Sequence, residues 1–200
     1  ECGGCHWLSI DESRQQQFRR QRLLTQCAAH GVEINAATTI TEIGSPAVTA
    51  YRHRARLQID GALQPPRVGF HGDRNWAIVD AAVCAMFAPP LARVYETLRG
   101  LILGAAATDV ADLTGAEIVA LNGAAGALVY LNPRDRAPAA WPRLGEGWLS
   151  RRSDVLAGVA VRLPRGDSRP EILGALAIWG QAPLGMPVAA AARGFVQANL

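Results

Sequence analysis

The chain has 200 residues, half of them hydrophobic and 18% charged, with a net charge of +3. That length suffices for one or two domains with a real core, and the composition excludes a disordered or disulfide-rich class. No apolar run reaches the roughly 18 to 20 uncharged residues of a bilayer span, Arg99 interrupting the best of them, and no secretory signal is seen. Every basic residue other than histidine is arginine. A GC-rich genome accounts for this, but planar guanidinium groups also fork onto phosphate oxygens, so the position of each arginine matters more than the bulk charge.

The chain opens on Glu1 rather than methionine, so a start within a longer protein is expected, and runs at once into Cys2-Gly3-Gly4-Cys5. Two thiols in a C-x-x-C turn can face one metal atom or one iron–sulfur cluster, and the glycines let the loop wrap closely. Neither group is held by two ligands alone. Cys84, at the end of an apolar, strand-like run from Ile78, is the further candidate. Ser9-Ile10-Asp11-Glu12 reads as a capping box opening a helix that continues to Ala29 and stops at Gly31. Arg14, Arg19, Arg20 and Arg22 stud it, and Cys27, one turn after Leu23 and Leu24, falls on its apolar side as a buried structural thiol.

Strict alternation from Tyr51 to Asp60 predicts a strand, with Arg52, Arg54, Arg56 and Gln58 on one face and His53, Ala55, Leu57 and Ile59 on the other. Three arginines on one face form a single-sign stripe, suited either to solvent or to RNA phosphates. Arg67–His71 reads as the returning strand and Trp76–Asp80 as a third, giving an antiparallel meander. Pro89-Pro90 opens a helix with Leu91, Val94, Leu98 and Leu101 on one face and Gly104 beyond its end. Ala116–Leu121 and Ala127–Leu131 predict a strand pair; Asn122-Gly123 between them is a turn, since the lysine of a nucleotide loop is missing. Residues 133–147 read as a loop or short helix, and Val155–Leu163 and Ile172–Trp179 as two strands around Pro164-Arg165-Gly166-Asp167. The tail from Arg193 reads as the start of a helix, again as in a piece of a longer chain.

Taken in order, Cys2-Gly3-Gly4-Cys5-His6-Trp7, Tyr51–Leu57, Val68-Gly69-Phe70, Ile78-Val79-Asp80 before Cys84, and Phe195-Val196-Gln197-Ala198-Asn199 resemble the bacterial iron–sulfur-containing RNA 5-methyluridine methyltransferases. The resemblance spans the whole chain but only the middle of such an enzyme. It implies a [4Fe–4S] cluster with Cys2, Cys5 and Cys84 as three ligands and a fourth cysteine before Glu1. It also implies S-adenosyl-L-methionine as methyl donor, with Gln197 and Phe195 beside it, and a covalent mechanism whose nucleophile, base and donor loop belong to a following Rossmann-like domain. Leu8-Ser9, Ala85 and Ala198 stand where the family usually has Gln-His, Pro and Val.

The expected architecture is α+β, a mainly antiparallel sheet flanked by helices, with a cysteine loop at the N-terminus for the iron–sulfur cluster. Residues 1–30 would form the cysteine loop and Arg/Gln-rich helix, 31–190 a central RNA-binding domain, and 191–200 the start of the methyltransferase domain. The expected partner is ribosomal RNA, met by Arg52, Arg54 and Arg56, for a cytoplasmic monomer with no membrane contact. Two other readings stay open: a non-catalytic metal-binding RNA module, and a zinc-binding structural domain using Cys2, Cys5, His6 or Cys27, and Cys84.

Overall fold

The computed structural model describes residues 2–35, 38, 40, 41, 47–134, 141–161, 171–182 and 185–191. The chain divides into two units, one of Glu1–Gly3 with Thr49–Leu200 and the other of Gly4–Val48.

The smaller unit is a short loop clasped onto one helix, α1 (Glu12–Ala29). Its start differs from the predicted capping box. Asp11 is the N-cap, its carboxylate accepting from the Ser13 amide at 2.9 Å, while the Ser9 hydroxyl donates back to the His6 carbonyl. A carboxylate one residue before the helix reaches the orphan amides better than a hydroxyl three residues away. The Gln15 amide donates to the carbonyls of Trp7 and Ile10, and Trp7 meets Phe18 edge-on at 6.1 Å, which fastens the loop to the first two turns. The helix ends as predicted at Gly31, at φ 71°, with Val32 N–H donating to Cys27 and Gly31 N–H to Ala28. No residue of α1 is buried, so Cys27 is half-buried rather than the core thiol expected of it.

The larger unit is built on a seven-stranded sheet: β1 (Arg54–Asp60), β2 (Arg67–His71), β3 (Ile78–Asp80), β4 (Leu113–Val119), β5 (Ala127–Pro133), β6 (Leu156–Val161) and β7 (Glu171–Gly174). The order is β3-β2-β1-β4-β5-β6-β7, antiparallel except between β5 and β6. That one parallel pair needs a crossover, which α4 (Trp141–Arg151) supplies. Two further helices, α2 (Pro89–Leu103) and α3 (Ala107–Val110), fall between β3 and β4. The apolar faces of α2 and α4 cover one side of the sheet: Leu91, Val94, Tyr95, Leu98, Trp141 and Trp148 pack with Leu57, Ile59, Ile118 and Val159. Alternation along β1 holds, with Ala55, Leu57 and Ile59 buried.

The predicted strand Ile172–Trp179 is two strands. β7 pairs with β6, and β8 (Ala177–Gln181) leaves to form a separate hairpin with β9 (Pro187–Ala191). Gly174 makes the break: it sits at φ 80°, and a Cβ there would lie 2.6 Å from the Ala157 carbonyl oxygen. The hairpin covers a patch on Val119, Leu121 and Leu128 with Ile178 and Ala190. The turn at 164–167 and the tail from Arg193 lie outside the described residues.

Candidate functional site

Two groups of candidate residues fall in the larger unit, the arginines of β1 and the thiols Cys2 and Cys84. The predicted stripe is divided. Arg54 and Arg56 lie in β1, but Arg52 precedes it, on an isolated bridge with Phe87, its guanidinium 6.0 Å from the Tyr51 ring. The cause is His53, which is buried. Its carbonyl accepts from Ala120 N–H and its Nδ1 donates to the Ala120 carbonyl, so the chain bends before the ladder starts.

Register sets Arg56 opposite Glu117 of β4. Glu117 takes both arginines, Arg54 Nη2 at 2.7 Å on Oε1 and Arg56 Nε at 3.1 Å on Oε2. Arg54 and Glu117 are nearly covered, at 17% and 16% exposure, whereas Arg56 is 78% exposed and keeps its terminal nitrogens in water. Two guanidiniums against one carboxylate leave one positive charge, and it sits on Arg56. Glu117 escaped the sequence reading because only the register between β1 and β4 reveals it.

The thiols are placed by backbone. Cys2 bridges Gly72, and Gly3 N–H donates to the His71 carbonyl at 3.0 Å, so residues 2 and 3 extend the end of β2. Gly3 is required there, since a Cβ would lie 2.8 Å from the Asp73 Cα. Cys84 does not end a strand, as expected, but sits in a loop: β3 stops at Asp80, whose carboxylate turns to the Val68 amide and to Arg99 of α2. Tyr95 of α2 donates its hydroxyl to the Ala81 carbonyl, and Arg99 also donates to the Val68 carbonyl at 3.2 Å. Asp80, Arg99 and Tyr95 thus pin the chain entering the Cys84 loop against α2. The hydrogen bond from Arg99 holds the Asp80 carboxyl below its usual range. Burial pushes the Tyr95 hydroxyl up to about 12; Arg99 opposes this, and Asp80, Cys84 and Cys2 add to it. A cleft of about 760 Å³ opens beside Cys84, between the loop at Ala82–Cys84 and the face of α2 that carries Arg93, Glu96 and Arg99.

Cys5 belongs to the smaller unit, where its carbonyl accepts from Leu8 N–H. No cysteine is in a disulfide. Among the described residues, no three histidine, cysteine or acidic side chains converge as metal ligands would. Phe195 and Gln197 lie outside the described residues.

No family model matches the chain. It is 32% identical over 110 residues to the 23S rRNA (uracil(1939)-C(5))-methyltransferase RlmD of Paracidovorax citrulli, a stretch covering 54% of this chain and 22% of the relative. It is 29% identical over 102 residues to the 23S rRNA (uracil(747)-C(5))-methyltransferase RlmC of Edwardsiella ictaluri, covering 50% of this chain and 25% of the relative. The chain is a relative of the RNA uracil-C5 methyltransferases. Its fold is similar to that of the Pyrococcus abyssi tRNA (uracil-54, C5)-methyltransferase crystallised with S-adenosyl-L-homocysteine, at a TM-score of 0.66 and 17% identity, over 99% of this chain and 47% of that one. The matched stretch is thus about a quarter of the length of the two curated relatives, and the likeness in fold covers about half of the solved enzyme. No helix among the described residues is long and apolar enough to cross a membrane.

Proposed function

We propose that this chain is the central, RNA-binding part of an S-adenosyl-L-methionine-dependent methyltransferase that forms 5-methyluridine in ribosomal RNA in the cytoplasm. The observation that carries the reading is the likeness in sequence to 23S rRNA uracil-C5 methyltransferases across half of the chain. The face of β1 supports it: Arg56 presents an exposed guanidinium, steered at its Nε by Glu117, in the manner of a phosphate contact. Arg54 belongs with the scaffold of that face, and Arg52 approaches RNA from the bend before it.

In this reading Cys2, Cys5 and Cys84 are ligands of a [4Fe–4S] cluster. The donor set suits it, being thiols of which Cys2 and Cys84 are tied down by neighbouring backbone. Such a cluster would supply a rigid crosslink near the RNA, and methyl transfer needs no electron from it. Phe195 and Gln197 are assigned to the methyl donor; residues 1–30, 31–190 and 191–200 take the parts of cysteine loop with helix, RNA-binding domain and entry to the methyltransferase domain. Methyl transfer itself is assigned to none of the described side chains. Their work is to bind the RNA and orient it.

The test is direct. The gene product, incubated with 23S rRNA and methyl-labelled S-adenosylmethionine, should yield labelled 5-methyluridine on nucleoside digestion. Label on another nucleoside, or on none, overturns the reading.

A further inference from the structure

The hairpin turn between β2 and β3 carries Trp76 with 84% of its surface in water. An indole in that position forgoes a large apolar burial, so its exposure calls for a reason. Nor is the ring loosely hung. Gly72 N–H donates to the Ala77 carbonyl at 2.9 Å, Ala77 N–H to Asn75 Oδ1 at 3.1 Å, and His71 Nδ1 to the Trp76 carbonyl at 3.1 Å. The imidazole of His71 also meets the indole edge-on, with centroids 5.0 Å apart and planes at 83°. The turn is closed, the ring is steadied at one side, and the rest of it is bare.

Position adds to this. Gln58 of β1 pairs with Gly69 of β2, and two residues further along the same face stand Arg56 and His71. Trp76, braced on His71, is therefore carried at the same end of the same face as the exposed guanidinium of Arg56. Arg74, two residues before Trp76, is 94% exposed, its Nε 3.9 Å from the Asp73 carboxylate. A preorganised aromatic plane flanked by solvated arginines matches single-stranded nucleic acid, whose bases stack on such planes while its phosphates meet the cations.

We infer that Trp76 is a stacking platform for an unpaired base of the RNA, with Arg74 on the adjoining phosphate. The inference rests on the RNA-binding reading and adds to it a site outside the arginine stripe. A base that stacks displaces no counterion, whereas an arginine on a phosphate does, so the two contacts carry different signatures.

The experiment is fluorescence anisotropy of the 200-residue chain with a labelled oligouridine of about a dozen nucleotides across a salt series, and with heparin as a polyanion that has no bases. Trp76→Ala should weaken oligouridine binding about five- to 150-fold, leave the slope of log K against log salt unchanged, and leave heparin binding alone. Trp76→Phe should restore most of the loss, and Arg74→Ala should lower the slope by about 0.7 for both polyanions. Because Trp76 is exposed, its replacement should not shift the melting temperature. Binding of oligouridine by Trp76→Ala equal to wild type, or an equal loss toward heparin, overturns the platform while leaving RNA binding by the chain intact. A wild-type chain that binds no oligouridine at low salt overturns the RNA reading and the platform together.

Discussion

Three side chains decide how the Cys84 loop leaves the sheet. Tyr95 is almost fully buried and donates to the Ala81 carbonyl, so Tyr95→Phe removes the donor of a half-buried acceptor and should cost about 1 kcal/mol in urea denaturation. Asp80 acts differently, because Arg99 holds its carboxyl below the ordinary 3.8. A carboxylate with a depressed folded-state value contributes stability above its unfolded value and loses it as the pH falls through the folded one. Wild type should therefore be more stable than Asp80→Asn at neutral pH, and the gap should close on acidification below about 3.8. Melting temperatures of the pair at pH 7 and in steps below pH 4 check this; a gap that persists in strong acid means that Asp80 acts through shape rather than charge.

At the level of elements, β1 carries two opposed faces whose substitutions should report different things. Leu57→Ala, in the core, should cost about 2–5 kcal/mol of stability. Arg54 and Glu117 share an almost covered ion pair, so a double-mutant cycle on them should return a coupling of about 0.5–3 kcal/mol; additive losses would reduce the pair to mere proximity. Arg56→Ala should leave stability nearly unchanged and lower the salt slope of RNA binding. A second element-level test concerns Gly174. Alanine there faces both a left-handed backbone and the Ala157 carbonyl, so Gly174→Ala should lower stability by about 1–3 kcal/mol or more.

Much of this architecture could be read in advance where side chains keep a period. The alternation in β1, the helical spacing in α2 and the Gly31 stop all hold, because each is a local pattern answering to one partner surface. What escaped was non-local. His53 looked like one more inward residue, yet its pairing with Ala120 takes Arg52 out of the strand. The carboxylate on Arg54 and Arg56 comes from a residue 61 positions away from Arg56. The split at Gly174 depends on how closely β6 approaches, which no window of sequence contains.

For the whole molecule, the two units differ in how they are held. The larger has a continuous core under α2 and α4, while α1 of the smaller has no buried residue. Hydrogen exchange should therefore find the amides of β4 and β5 protected close to the level of global unfolding and those of α1 released far sooner. Equal protection in both would mean that the helix is stabilised by something other than burial.

The backbone attachment of Cys2 to Gly72 has a consequence for the order of events. Cys2 and Cys84 are 82 positions apart in the chain, and bringing two such thiols together from an unfolded coil is entropically costly. Here hydrogen bonds hold each end of that span without help from sulfur: Gly3 is paired with His71, and the chain before Cys84 is pinned by Tyr95 and Arg99. On the proposed function, a soft metal coming to these thiols would find the backbone of each already held by the fold. Folding of this unit would then not wait on loading, the reverse of a zinc finger, whose chain stays unfolded until its ion binds.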